Sequence, residues 1–247
     1  EHGYRMIVEL VDTHSDHVER ELLAAIAALQ PDGIILTPPH SDNPQIVALL
    51  AGQDMPFVRI GSHRLDAGIP VTMDDEGSAR LATRHLIDHG HRRIGFIAGP
   101  AEYELSGWRV DGWRAAMAEA GLPVEGLLEP GDFSLASGEA AAQRLLARAD
   151  RPTAIIASND QMALGTLDVA RSLGLAVPRN LSLISFDNSP VVQFAQPPLT
   201  AIDQSIAATA AMAVELIIAR RKGEPAPADI TVIPSTLISR GSVARPG

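Results

Sequence analysis

No cysteine occurs in the 247 residues, so a disulfide framework and thiol chemistry are both excluded. Lysine is almost absent as well. Lys222 stands alone beside nineteen arginines, a bias that fits genomic base composition in a chain so rich in alanine. Positive charge is outweighed overall, and the formal net charge is −10. An acidic surface repels phosphate backbones, so these residues by themselves make a poor nucleic-acid binder. No apolar run approaches the ~20 residues that span a bilayer, and the opening EHGYRMIVEL has no signal-peptide pattern. The chain also lacks G-x-G-x-x-G, a P-loop and G-x-S-x-G. All eight histidines lie within residues 2–91. His85 and His89 sit four apart with His91 near, but no acidic residue follows His85 in the H-E-x-x-H manner, so an ordinary helix face outweighs a metal pair. No carboxylate pair has the partners of an acid–base site, which argues against an enzyme and against any cofactor.

What is present is a large core and a regular alternation. Hydrophobic residues make up 46% of the chain and charged residues 20%, proportions of a folded globular protein. Short, continuously apolar segments read as strands at Met6–Val11, Gly33–Thr37, Phe57–Ile60, Arg93–Ala98, Ala154–Ala157 and Leu181–Phe186. Strands of that kind belong to parallel sheets covered on both faces. Helical patterns lie between them at Asp16–Leu29, Asp75–Asp88, Val110–Ala120, Leu135–Ala149, Gln161–Ser172 and Ser205–Arg221, several of them closed by glycine. The alternation predicts an α/β fold with parallel sheets. There are too many units for one small sheet, so two lobes are expected. The chain is expected to cross between them near HGHRR (89–93), FDNSP (186–190) and PPLTAIDQS (197–205), giving one lobe of 1–90 plus 205–229 and another of 91–204 plus 230–247.

Two strands end in polar clusters. Ile155–Ala157 run into Ser158, Asn159 and Asp160, and LSLISF runs into Asp187 and Asn188. Ligands of open parallel sheets sit beyond the carboxyl ends of the strands. Asp160 is well placed to cap the following helix, which leaves Asn159 free to point outward. Asp187 could serve only an Asx-turn, yet two such strand ends together offer the acceptors and amides that hydroxyl-rich ligands use.

These same residues carry a resemblance. The stretch IIASNDQMALGTLDVARSLGLAVPRNLSLISFDNSPVVQFAQPPLTAIDQ resembles the effector-binding core of LacI/GalR transcriptional regulators. DDEGSARLATRHLIDHGHRRIGFIAGP, RVDGWRAAMAEAGL and PDGIIL fit the same family. The resemblance implies a periplasmic-binding-protein-like type I fold, with two Rossmann-like lobes, three crossovers and a sugar-sized cleft. It implies a cytoplasmic regulator, a homodimer, and a small effector, most commonly a saccharide. Operator DNA would be bound through a helix-turn-helix headpiece that these residues do not include. The first strand and helix of the N-terminal lobe also have no counterpart, since Glu1–Tyr4 matches the segment just before the second strand. By the same resemblance Arg109, Asn159 and Asp187 are ligand-binding. Phe133 matches a position where an aromatic stacks on a sugar ring, against the alternative of a hydrophobic staple. Gln204 matches a polar residue at the third crossover, against the alternative of a hinge hydrogen bond. Asp75, beside Asp74, is expected to cap its helix; Trp113 is expected in the core and Trp108 at the cleft mouth. The competing reading is a periplasmic sugar-binding protein of a transporter, which shares the fold.

Overall fold

The computed structural model describes residues 3–11, 17–53 and 55–247. Among them the strands are β1 (Ile34–Leu36), β2 (Phe57–Ile60), β3 (Ile69–Met73), β4 (Ile94–Ala98), β5 (Leu128–Pro130), β6 (Ala154–Ala157), β7 (Ser182–Asp187), β8 (Thr200–Asp203), β9 (Thr231–Ile233) and β10 (Thr236–Ile238). The helices are α1 (Val18–Leu29), α2 (Pro44–Ala51), α3 (Asp75–Asp88), α4 (Glu104–Glu119), α5 (Leu135–Leu146), α6 (Asp160–Ser172), α7 (Pro190–Gln193) and α8 (Ile206–Arg221). The chain forms two compact units, Glu1–Thr72 with Thr209–Thr231 and Met73–Ala208 with Val232–Gly247, and so passes between them three times. The first passage falls at Thr72/Met73, whereas the sequence suggested a boundary at 90/91. The reason is packing: Ala79, Ala82 and Leu86 of α3 join the core of the second unit with Val110, Trp113 and Met117 of α4. HGHRR therefore lies inside that unit.

In the first unit β1, β2 and β3 lie side by side in that order and run parallel. Val18, Leu22, Leu36, Ile46, Val47, Leu50 and Phe57 form its core. Helix α2 was not foreseen, though its start is written in the sequence. Asn43 accepts from the Gln45 and Ile46 amides at 3.0 and 3.2 Å, and Pro44 opens the helix. The expected strand Met6–Val11 is absent. Those residues pair with no strand among the described residues, and Met6 and Leu10 are 83% and 96% exposed. An apolar run becomes a strand only where a neighbour completes its ladder and covers its side chains. Asp16, the expected start of the first helix, lies outside the described residues, as do Glu1 and His2. Arg59 is buried in the middle of β2. It donates to the Ser41 and Ala67 carbonyls, to Asp42 and to Asp66, pinning the loops that follow β1 and β2. The guanidinium holds the Asp66 carboxyl below its ordinary value.

The second unit is a doubly wound sheet of order β10-β8-β7-β6-β4-β5, parallel except for β10 against β8. Successive strand residues face opposite layers. Ile97, Ile155, Leu183 and Ala201 pack with α5 and α6. Ile94, Phe96, Ile156, Ile184 and Ile202 pack with α3 and α4. Helix α4 begins at Glu104, six residues before the apolar pattern became visible at Val110. Trp113 is fully buried and donates to the Ile94 carbonyl at 3.2 Å, as a core tryptophan should. Where α4 crosses α3, Gly112 is obligatory, because a Cβ there would overlap the Glu76 carbonyl oxygen. His91 is spent on the fold. Its Nε2 donates to the Ala244 carbonyl at 2.8 Å and its Nδ1 accepts from the Thr153 hydroxyl at 2.8 Å, tying the C-terminal segment to the sheet. Burial lowers the pKa of His91, which suits a neutral ring in that place. The His85 and His89 rings lie 4.4 Å apart, centroid to centroid. Among the described residues no three histidine or acidic side chains gather as a metal-holding set.

Candidate functional site

All five residues singled out in the sequence lie in the second unit, four of them at the carboxyl ends of its parallel strands. Asn159 and Asp160 follow β6, Asp187 ends β7, Gln204 follows β8 and Phe133 follows β5. Such strand ends are where open α/β sheets bind ligands.

Arg109 comes to this rim from the second turn of α4. It is 3% exposed. Its Nε donates to Asp75 Oδ1 at 2.7 Å, its Nη1 donates to the Ser158 carbonyl, and its guanidinium lies 4.8 Å over the Phe186 ring. This arrangement corrects one expectation. Asp75 does not cap α3; Asp74 does, accepting from the Gly77 amide at 2.8 Å, and Asp75 pairs with Arg109 instead. Arg109 is therefore both a rim residue and half of a buried ion pair.

Asn159 and Asp160 exchange the roles given to them. Asn159 has extended backbone and is the true N-cap, accepting from the Met162 amide at 2.9 Å. Its Nδ2 donates to the Phe133 carbonyl at 2.8 Å. Asn159 is thereby engaged at both ends of its amide. Asp160 is the first helical residue and 3% exposed. Its Oδ2 accepts from the Ser189 amide at 2.6 Å, while Oδ1 is buried with no partner among the described residues. A side chain caps from the residue just outside the helical backbone, and sequence alone does not show which of two adjacent polar residues that is.

Phe133 holds a positive φ of 67°, unusual outside glycine, and the Asn159 bond to its carbonyl helps fix it there. A hydrophobic staple is ruled out, because Ser134 is the cap and the position the ring would grip is Gly138. The ring instead meets Tyr103 edge-on, centroids 5.6 Å apart, and lies over Gly99, where any Cβ would collide with it. Asp187 also has a positive φ, 89°, as does Asn188 at 58°. Asn188 belongs to the scaffold, donating to Asp203 at 3.0 Å and accepting from Arg240 at 2.6 Å. Burial pushes the Asp187 carboxyl up to about 6; Arg109 and the Asp160 amide oppose the rise, and the Asp160 and Asp75 carboxylates add to it. Gln204 is 4% exposed, and its Nε2 has no partner among the described residues.

Asp75 Oδ2 and the hydroxyls of Ser106, Ser158 and Ser185 share that condition. A buried polar atom without a partner costs roughly 1–3 kcal/mol, so such atoms normally are few and scattered. Here they accompany two residues in strained backbone and a carboxyl of raised pKa, the usual marks of a binding site. Asp75, Asp160 and the serines were not singled out as ligand-binding. The Asp-Asp pair at 74–75 carried the signal, since one carboxylate suffices for the cap.

Residues 83–243 match the model of the periplasmic binding protein-like domain. The chain is 34% identical over 232 residues to the HTH-type transcriptional regulator CelR of Thermobifida fusca, covering 91% of this chain and 66% of CelR. It is 32% identical over 247 residues to the HTH-type transcriptional repressor PurR of Edwardsiella ictaluri, covering 98% of this chain and 72% of PurR. The solved complex of CelR with cellobiose superposes with a TM-score of 0.83 at 33% identity, covering 92% of this chain and 71% of that one. The chain thus spans about two thirds of the length of its regulator relatives, and its fold is that of periplasmic-binding-protein-like domains. With the motifs, the doubly wound unit and these likenesses in agreement, the chain belongs to the LacI family of transcriptional regulators.

Proposed function

We propose that this chain is the effector-sensing and dimerisation region of a DNA-binding regulator of the cytoplasm, and that it binds without catalysing. The observation that carries the reading is the rim of the second unit, where Asp75, Asp160 and Gln204 are almost wholly buried yet keep unpartnered polar atoms beside Arg109 and Asp187. A hydroxylated effector would satisfy them. CelR is a transcriptional regulator whose solved complex holds cellobiose, which supports a saccharide here. Asp187 and Gln204 would contact the effector, with the Phe133 ring against a sugar face. Asn159 and Arg109 would hold the rim in shape, Arg109 keeping donors for the ligand. Effector binding would favour one of two conformations that differ in operator affinity, so the coupling equals the difference in effector affinity between them.

A second copy of the chain is the partner we assign to the outer face of α5 and α6. Leu135, Leu164, Leu167 and Ala195 line a groove of about 320 Å³ there, rimmed by Glu139, Asp168, Arg171 and Gln196. Phe194 beside it is 76% exposed.

Calorimetry against neutral sugars, nucleobases and nucleosides tests the reading. Saturable binding is expected, reduced at least ~100-fold by Asp187→Ala, consistent with loss of a charge-assisted hydrogen bond. Unchanged affinity in that variant would remove Asp187 from the site. Reading the gene upstream of Glu1 separates the regulator, with a helix-turn-helix, from a transporter's binding protein, with a signal sequence.

A further inference from the structure

The rim carries an imbalance of charge that restricts what can occupy it. The Asp160 and Asp75 carboxyl groups both act on Asp187 there, and one guanidinium, Arg109, opposes them and pairs with Asp75. Arg109 gives two of its five N–H donors to Asp75 Oδ1 and the Ser158 carbonyl, so its charge is shared with Asp75. The next charges along the rim, Asp203 and Arg240, both engage Asn188 and offset one another. The atoms still to be satisfied are of both senses. Asp75 Oδ2 and Asp160 Oδ1 can only accept while ionised, the hydroxyls of Ser106, Ser158 and Ser185 can do either, and Gln204 Nε2 and the three remaining N–H groups of Arg109 must donate. Asp75 and Asp160 are 2% and 3% exposed, so water screens them poorly.

Resting on the effector-sensing reading, we infer that the ligand is a hydroxyl-rich molecule without negative charge, and that the buried carboxylates of Asp75 and Asp160 exclude phosphorylated sugars and sugar acids from this rim. Each hydroxyl brings a donor to the Asp75 and Asp160 carboxylates and can still accept from Gln204 or Arg109. A phosphate or carboxylate brings acceptors only, and sets a like charge against desolvated carboxylates, a juxtaposition that suppresses wrong partners strongly.

The test is a thermal-shift and calorimetric panel at pH 7.5 on the chain as it stands. Neutral monosaccharides, disaccharides and alditols are each paired with a phosphorylated or acid counterpart, such as glucose with glucose 6-phosphate and glucuronate, beside nucleobases. A neutral sugar is expected to bind at least ~100-fold more tightly than its anionic counterpart. Asp160→Asn, which retains an acceptor for the Ser189 amide, is expected to narrow that gap at least ~10-fold while the circular dichroism spectrum stays unchanged. An anionic member binding as tightly as its neutral parent, an unchanged gap in Asp160→Asn, or a nucleobase as the tightest ligand overturns the inference and leaves effector sensing standing. No saturable binding by any member overturns both.

Discussion

Asp187 shows how one residue can be poor for stability and good for binding. Its backbone is in the left-handed region, and burial raises its carboxyl pKa to about 6 from an ordinary 3.8. The folded, ligand-free protein therefore holds a proton that the unfolded chain releases between those values. This group lowers stability as pH climbs from about 4 to about 6, and the deficit persists above. Asp187→Asn keeps the shape, tolerates the positive φ and removes the charge. At pH 7.5 it is expected to stabilise the free protein by about 1–2 kcal/mol, a shift of two pKa units discounted for partial solvent access. Urea unfolding should show that gain shrinking as pH is lowered towards 4. Effector affinity should run the opposite way in the native protein. It should be full above pH 6 and fall by up to ~10-fold per unit below, as Asp187, facing Arg109, Asp160 and Asp75, takes up its proton; calorimetry from pH 5 to 7.5 reads this directly. Arg109 behaves differently. Removing it leaves Asp75 buried and uncompensated, so Arg109→Met is expected to cost about 3–5 kcal/mol in folding as well as binding. Arg109→Ala is for the same reason a poor test of binding alone.

At the scale of elements, the pairing of α3 with α4 sets the site. Gly112 lies one turn beyond Arg109 and Glu76 lies beside Asp75, so the close helix crossing and the buried ion pair are one piece of packing. Gly112→Ala is expected to push the helices apart, to cost about 1–3 kcal/mol by overpacking, and to weaken effector binding although residue 112 has no polar side chain to offer. Thermal unfolding and calorimetry of that variant check both parts. The pairing of α5 with α6 presents the groove assigned to a second copy. Phe194 is too exposed to support the fold, so Phe194→Asp should leave the melting temperature within about a degree, as surface changes do. It should shift the sedimentation of a dimer towards the monomer. A monomeric native chain at micromolar concentration would remove that assignment.

For the molecule as a whole, some features were legible in the sequence and some were not, and each has a cause. Strands β4, β6 and β7 of the second unit were legible because a doubly covered sheet demands largely apolar runs, and Ile94–Ala98, Ala154–Ala157 and Leu181–Phe186 supply them. Short strands such as Leu128–Pro130 and Thr231–Ile233 were not, because three residues carry no period. Arg59 was hidden inside an apparently apolar strand, since only its partners Asp42 and Asp66, distant in sequence, make an arginine tolerable there. The exposed Met6–Leu10 segment is the converse case, an apolar run whose side chains no neighbour covers among the described residues. Periodicity and strand-end polarity were enough to determine an α/β architecture, and with the quoted motifs they pointed to Arg109, Asn159, Asp187, Phe133 and Gln204 as candidates. Both follow from short-range rules of burial and of where strands must end. The tertiary structure alone decided that Asn159 caps while Asp160 stays open, that Asp75 pairs with Arg109, and that the first unit ends at Thr72. Those outcomes depend on which groups meet across tens of residues of chain, a matter of packing that no local pattern of side chains encodes.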